Sequence, residues 1–428
     1  MNEAYRQRVE RLFDLQRFGI KLGLKNIARL LRDLGDPRPG KRVVIVGGTN
    51  GKGSTSAMLA SIGQAAGLKT GLFTSPHLVS FTERIQINGE RIKPTDVVEL
   101  ADHLWDTLEP YRVAGEPEPI TFFEMLTAMA ALYFSRQNVD LAIMEVGLGG
   151  RLDATNALPR DLVVLTDIYL DHQQYLGDTI DAIARDKASL LRTGVPAIAT
   201  GGADGAIEPI VEVAAEVGAP LQVMVRDFQE DRSQRTKSIP QWSNGRYVLH
   251  DLPVPLAGGD IQFRNTSAAI AAAVTLGIHD EDTIRRGLAA TRWPGRAELF
   301  DGPPRWFLDC AHNPAGATML LHEWPAADRV VWLFAGMKDK DLAGIAATLA
   351  PHVSSVVCTE LPMPRAATAE DLAAHVRPYN ENVTVVTDPD AAMSAAADAA
   401  GPTGLAMAAG SIFLVGHVRG RLTGETGP

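Results

Sequence analysis

The sequence predicts a two-domain α/β protein, with a nucleotide-binding domain on a parallel sheet over residues 1–294 and a smaller Rossmann-like α/β domain over 295–428. Three observations carry this reading. Short apolar runs alternate with helical patterns in both halves, as in parallel sheets covered by helices. One of these runs delivers a glycine-rich turn carrying a lysine into a helix. At 428 residues the chain exceeds what a single core usually covers.

In the first half, strands are expected at 42–46, 70–74, 141–146, 162–166 and 197–200. Each is a short run rich in Val, Ile, Leu, Ala or Thr, and helical patterns lie between them. A polar stretch over 226–246 reads as irregular, and an alanine-rich helix follows over 265–276. The pair Pro294-Gly295 is the expected hinge. Beyond it, strands near 306–309, 330–334, 355–359, 384–387 and 404–409 suggest a small doubly wound domain. The closing run 424–428 reads as a frayed tail.

The run from Val43 to Ser54, with Thr49-Asn50-Gly51-Lys52-Gly53-Ser54 as its turn, carries the chemistry. Successive backbone N–H groups and the positive end of the following helix form an anion cradle, which Lys52 completes with a point charge. A nucleoside triphosphate is the expected ligand. The spacing departs from the strict Walker pattern, because Gly53 separates Lys52 from Ser54. The plainer reading is a glycine-rich turn with an incidental lysine.

Composition narrows the class. A net charge of −10 argues against a nucleic-acid surface, so any anionic substrate must be met by local cations. With 46% hydrophobic and 21% charged residues the chain reads as an ordinary globular protein. Cys310 and Cys358 form neither a disulfide framework nor a closely spaced metal pair, which suits a reducing cytosol. With no apolar signal core and no run of membrane-spanning length, the expectation is a cytoplasmic enzyme, monomeric, with small-molecule partners and neither nucleic acid nor membrane.

Further groups gather at strand ends. Glu145 closes the strand beside the phosphate loop, where a carboxylate can hold Mg²⁺. Ser75 ends the second strand, and Asp171-His172 follows the fourth. Ligands collect at the carboxyl ends of strands in open α/β sheets, so Ser75, Glu145 and His172 are expected to share a site. Lys187 alone reads as a solvated helix residue. Phe123 opens an apolar helix and is as well explained by core packing as by ring contact. The Arg84 guanidinium suits a carboxylate, or else a surface ion pair with Glu83 or Glu90.

Taken together, these runs resemble the folylpolyglutamate synthase and dihydrofolate synthase family of the Mur ligase superfamily. The matching pieces are Phe18-Gly19-Ile20-Lys21-Leu22-Gly23-Leu24, the phosphate loop, Thr74-Ser75-Pro76-His77-Leu78, Glu83-Arg84-Ile85, Phe122-Phe123-Glu124 and Glu145 through Asn156. Leu170-Asp171-His172, Pro294-Gly295-Arg296, Asp309-Cys310-Ala311-His312-Asn313-Pro314 and Gly410-Ser411 complete the series in the same order.

The resemblance implies an ATP-dependent ligase that joins a folate or pterin carboxylate to the amine of L-glutamate through an acyl phosphate. It implies ATP and Mg²⁺, with Ser75 and Glu145 holding one ion, and Glu145, His172 and a carbamylated Lys187 a second. Lys52, His172, Lys187 and Arg296 are then the catalytic set. Asn265, Arg296, Asp309 and His312 join the loop residues 49–54 around the nucleotide, and Pro76, His77, Arg84, Phe123, Arg151 and Asp153 are the substrate candidates. The chain departs from the family pattern at Ile45 and Gly47, at Gln173-Gln174-Tyr175, at Asp186-Lys187-Ala188-Ser189 where Glu-Lys-Ala-Gly is usual, and at Ile261 before Gln262. Another Mur-type amide ligase and a nucleotide switch without ligase activity stay open as alternatives. The chain has no Asn-Lys-x-Asp run, which weakens a GTPase version of the switch.

Overall fold

The computed structural model describes residues 3–15, 23–113, 120–230, 238–255, 259–321 and 323–427. Of the run Phe18 to Leu24, residues 18–22 lie outside them.

The first sheet contains β1 (Arg42–Gly47), β2 (Thr70–Phe73), β3 (Ile85–Ile87), β4 (Glu90–Arg91), β5 (Leu141–Glu145), β6 (Leu162–Leu165), β7 (Ala197–Ala199) and β8 (Leu221–Val223). Their order is β4-β3-β2-β5-β1-β6-β7-β8. All five expected strands are present, within one residue of their sequence bounds at either end. Hydrophobic alternation does not reveal β3 and β4, which are short and half polar. They pair antiparallel with β2 and with each other, and so make an antiparallel edge on a parallel sheet.

Strand β1 sits between β5 and β6 in parallel register, Val46 opposite Glu145 on one side and Val164 on the other. Its residues Val43 to Val46 are fully buried. Val43 and Ile45 pack on one face with Phe73 and Met144. Val44 and Val46 pack on the other with Met58, Leu59 and the alanines 268–273. A strand buried on both faces needs apolar residues without alternation, and this run supplies them. The chain crosses the sheet in one direction from β1 to β2 and in the other from β5 to β6. The carboxyl end of β1 therefore faces the crevice where ligands collect in such sheets.

The stretch expected to be irregular instead folds into a small antiparallel sheet of β9 (Gln229–Glu230), β10 (Ser238–Ser243) and β11 (Val248–Pro253). Its anchor is Trp242, fully buried, whose indole N–H donates to Ser267 Oγ at 2.9 Å. Polar residues on the solvent face hid this strand from the sequence. The helix expected over 265–276 begins earlier and spans Asp260–Thr275.

The third sheet holds β12 (Glu298–Phe300), β13 (Arg305–Leu308), β14 (Val330–Phe334), β15 (Ser355–Cys358), β16 (Val383–Val385) and β17 (Leu405–Ala409), in the order β12-β13-β17-β14-β15-β16. The five expected strands form a parallel doubly wound sheet, and β12 adds an antiparallel edge. Pro294-Gly295 falls between the helix Glu281–Ala290 and β12, with Gly295 at φ 71°. The tail is anchored rather than frayed at Glu425, which pairs with Arg419 at 3.2 Å and with Arg91 of the first sheet.

Candidate active site

The phosphate loop lies between β1 and the helix Lys52–Ala65. Two glycines are required there. Gly51, at the start of the helix, has φ 93°, a conformation that a side chain resists. Gly48 has φ 136°, and a Cβ on it would stand 1.9 Å from Thr166 Oγ1. The loop is braced from behind, because the Thr49 and Asn50 amides both donate to the Asp167 carbonyl. Asp167 itself is fully buried, bonded to Thr200 and ion-paired to Arg264 at 3.1 Å.

Two lysines converge on the Gly48 carbonyl. Lys52 Nζ donates to it and to the Thr49 carbonyl, each at 3.1 Å, and Lys187 Nζ donates to it at 3.0 Å. Lys187 is buried on the helix Ile180–Ala188, not solvated as its local sequence suggests. Burial, reinforced by the charge of Lys52, pulls its amine down to about 7. Burial lowers Lys52 too, while Glu145 and Asp171 oppose the shift.

Glu145 ends β5 as expected and is buried. Its Oε2 accepts the Ser75 amide at 3.0 Å, which ties the Ser75 loop to the strand end. Burial raises its carboxyl against the opposing charge of Lys52. His172 lies in a left-handed conformation, φ 52°, at the start of the helix Gln173–Leu176, and burial draws its imidazole down to about 4.

These groups line one cleft of about 750 Å³ between the lobes, together with Thr49, Gly53, Ser54, Pro76, Arg296 and His312. Asn50 and Gly51 line this cleft and a smaller cavity beside it. Asn265 and Asp309 line the smaller cavity, while Arg296 and His312 border both. Asp309 is engaged locally: its oxygens accept the Ala311 amide at 2.8 Å and the Ala297 amide at 3.0 Å, and Arg296 stands 3.7 Å away. His312 Nδ1 pairs with the Cys310 carbonyl at 2.9 Å.

The substrate candidates are placed differently. Arg84 is neither a surface residue nor paired with Glu83 or Glu90; it is 5% exposed, and its Nε donates to His77 Nδ1 at 2.8 Å. Glu83 is occupied by the amides of Leu78, Val79 and Ser80. Burial holds Arg84 down at about 10, and burial with the Arg84 charge takes His77 to about 3. Phe13, Phe81 and Phe122 surround this pair, Phe13 stacked on Phe122 at 5.3 Å. Phe123 packs on Phe73 at 5.7 Å between their ring centroids, so its contacts are those of the core reading. Arg151 is largely exposed, 3.5 Å from Asp186. Asp153 points inward and accepts from the amides of Gly147, Leu148 and Thr155 and from the Thr155 hydroxyl. That arrangement makes it a brace for the glycine-rich loop after β5, with no oxygen turned to the cleft.

Lys340 and Asp171 were not distinguished as a pair in the sequence. Lys340, in the loop after β14, donates across the lobes to Asp171 at 2.6 Å, and each is 11% exposed. Burial raises the Asp171 carboxyl, but the neighbouring His312, 3.9 Å away, and the charges of His172 and Lys340 outweigh it and hold the acid well below its ordinary range. A second bridge pairs the amides of Asn50 and Asn313 at 3.2 Å. Partners more than 160 residues apart leave no local pattern to read.

Among the described residues there is no group of three or more His, Cys, Asp or Glu arranged to hold a metal. The donor set here is mixed: one carboxylate, one hydroxyl, one imidazole and a lysine. That suits a hard cation that keeps waters and phosphate oxygens as most of its ligands, and it does not suit a closed metal cage.

Two domain families match the chain. The Mur ligase middle domain covers residues 46–273, and the Mur ligase glutamate ligase domain covers 295–412. By fold and cleft the chain is of the Mur ligase class. A dihydrofolate synthase/folylpolyglutamate synthase from Escherichia coli is 36% identical, over 93% of this chain and 91% of that one. An Escherichia coli FolC solved with DHPP and ADP superposes with a TM-score of 0.87 at 33% identity, covering 97% of this chain and 98% of its own. A probable bifunctional folylpolyglutamate synthase/dihydropteroate synthase from Halobacterium salinarum is 38% identical over 96% of this chain, which spans about half of that protein's length, 51%. The chain belongs to the folylpolyglutamate synthase/dihydrofolate synthase family.

Proposed function

We propose that the protein is an ATP-dependent ligase that adds L-glutamate to a folate or pterin carboxylate, acting as a folylpolyglutamate synthase and also as a dihydrofolate synthase. The observation that carries this is the cleft itself. Its floor is a phosphate loop with Lys52 and Lys187, and Glu145 and Ser75 stand on one wall. Arg296, His312 and Lys340 meet them from the opposite lobe. Cations from both sides suit the transfer of a phosphoryl group, whose charge must be neutralised and whose line of flight must be fixed.

The substrate carboxylate attacks the γ-phosphorus of ATP, forming the acyl phosphate and releasing ADP. The glutamate amine, as free base, then adds to the acyl carbon, and the tetrahedral intermediate expels inorganic phosphate to leave the amide. Lys52 and the loop amides hold the phosphates, Arg296 and His312 approach from the second lobe, and the closed cleft excludes the water that would hydrolyse the acyl phosphate. Glu145, Ser75 and His172 are the residues that would hold Mg²⁺, with Lys187 joining them as a carbamate. When bound, the ion neutralises charge on the transferring phosphoryl group. A buried amine near 7 supports the carbamate, because a neutral lysine can add CO₂ and lose a proton to become an oxygen donor.

The domain division that fits this reading is 1–294 for nucleotide binding and 295–428 for the glutamate ligase domain. The protein works as a monomer in the cytoplasm. Among the described residues no helix is long and apolar enough to cross a membrane.

Oxygen-18 in the substrate carboxylate tests the chemistry. One labelled oxygen should appear in the released phosphate, since it bridges the acyl phosphate and leaves with phosphorus. Unlabelled phosphate would overturn the acyl-phosphate route.

A further inference from the structure

The smaller cavity adjoins the phosphate loop at Asn50, Gly51 and Ser54 and runs past Arg296, Asp309 and His312. Its remaining wall includes Ile261, Met319, Leu320 and Glu323. On the ATP reading above, on which this inference rests, a nucleotide with its phosphates on the loop extends its base toward that wall. The aliphatic side chains suit the flat faces of a purine, and Glu323 is the acidic group beside them.

The two oxygens of Glu323 have different roles. Oε1 accepts the amide of Gly259, the residue that precedes the helix Asp260–Thr275. Oε2 is buried without a hydrogen-bond partner. Asn265, on the same helix and lining the same cavity, likewise has a buried Oδ1 with no partner, while its Nδ2 is committed to Gln262 at 3.2 Å. A cavity with two orphaned acceptors is built for a ligand that brings donors, because a buried polar group left unpaired is costly. In adenine the exocyclic 6-amino group is the group that carries them.

We propose that Glu323 is a specificity-determining residue for the nucleobase. Its Oε2 accepts a hydrogen bond from the 6-amino group of adenine, and so selects ATP over triphosphates with a 6-oxo group. Above about pH 7, where the rates below are compared, the group is a carboxylate that only accepts, and against a 6-oxo purine it meets another acceptor. Gly259 pins Oε1 and fixes the direction of Oε2, so discrimination does not depend on a freely turning side chain.

The test is initial-rate kinetics with ATP, with purine riboside triphosphate, which lacks the 6-amino group, and with inosine triphosphate, which carries a 6-oxo group, on wild type and Glu323→Gln. The glutamine keeps an oxygen for Gly259 and turns an N–H donor where Oε2 stood. Wild type should favour ATP over inosine triphosphate by about 100-fold in kcat/KM, mostly through KM. In Glu323→Gln that ratio should fall at least about tenfold, with purine riboside triphosphate little affected. The ratio is internal to each preparation, so a partly misfolded variant does not disturb it. An unchanged ATP-to-inosine ratio, with all three nucleotides slowed alike, would show that Glu323 only braces the helix and would overturn the proposal. A wild-type enzyme whose turnover needs no nucleotide would instead sink the ligase reading beneath it.

Discussion

Lys52 is the cation proposed to hold the phosphates, and it donates to the Gly48 and Thr49 carbonyls of its own loop. Lys52→Ala should lower ATP-dependent turnover by about 10²- to 10³-fold, the usual loss when a preorganised charge is removed from a phosphoryl-transfer site. Circular dichroism should be unchanged, and turnover at the wild-type rate would refute the assignment.

Glu323 gives a pH signature at the same scale. Burial pushes its carboxyl up to about 7 despite the Gly259 hydrogen bond. In that range the folded chain binds more protons here than the unfolded chain, so this group's stabilising contribution is present below about pH 4.5 and is lost as pH rises through about 7. The difference in melting temperature between Glu323→Gln and wild type should therefore move in favour of the variant between pH 5 and 8. A difference independent of pH would contradict the shift. Glu323 was invisible in the sequence, as an unremarkable acid ten positions beyond Asn313. Its interest comes only from the cavity and from Gly259, which lies 64 residues away.

At the scale of elements, the legible parts were those governed by local physics. Strand β1 could be read because burial on both faces demands an unbroken apolar run, and its turn because only glycine tolerates φ values of 93° and 136°. The sheet of β9, β10 and β11 could not, since its largest buried residue, Trp242, is flanked by the polar Gln241 and Ser243. The burial of Arg84, a substrate candidate by its motif, could not be read for a similar reason: it comes from the aromatic cluster of Phe13, Phe81 and Phe122, brought in by three separate elements. Asp153 teaches the same lesson, because its carboxylate serves the loop after β5 rather than the cleft. Asp153→Ala strips partners from three amides and a hydroxyl, and should destabilise the protein by about 2–4 kcal/mol in urea unfolding. A loss below about 0.5 kcal/mol would argue that the brace is dispensable.

For the whole molecule, the cleft is made by bridges that cross between the lobes. Lys340 to Asp171, Asn50 to Asn313 and Arg91 to Glu425 each join residues far apart in sequence. Order and spacing of motifs were enough to expect both lobes on one cleft, but the bridging pairs themselves depend on how the second sheet docks and cannot be read locally. Lys340→Met leaves the Asp171 carboxylate buried without its ammonium partner, a change that costs about 3–5 kcal/mol in buried pairs. It should lower kcat/KM for ATP at least about tenfold and enlarge the radius of gyration in small-angle scattering, as the lobes part. Unchanged scattering and kinetics would remove this bridge from the account.

The central claim is that this cleft makes a glutamyl amide at the expense of ATP. It is tested most directly by incubating the protein with Mg-ATP and labelled L-glutamate, with dihydropteroate in one tube and a reduced monoglutamyl folate in another, and weighing the products. The account predicts a product heavier by one glutamyl residue in both tubes, in step with phosphate release. Phosphate released by active, folded protein with no glutamyl product in either tube would contradict it.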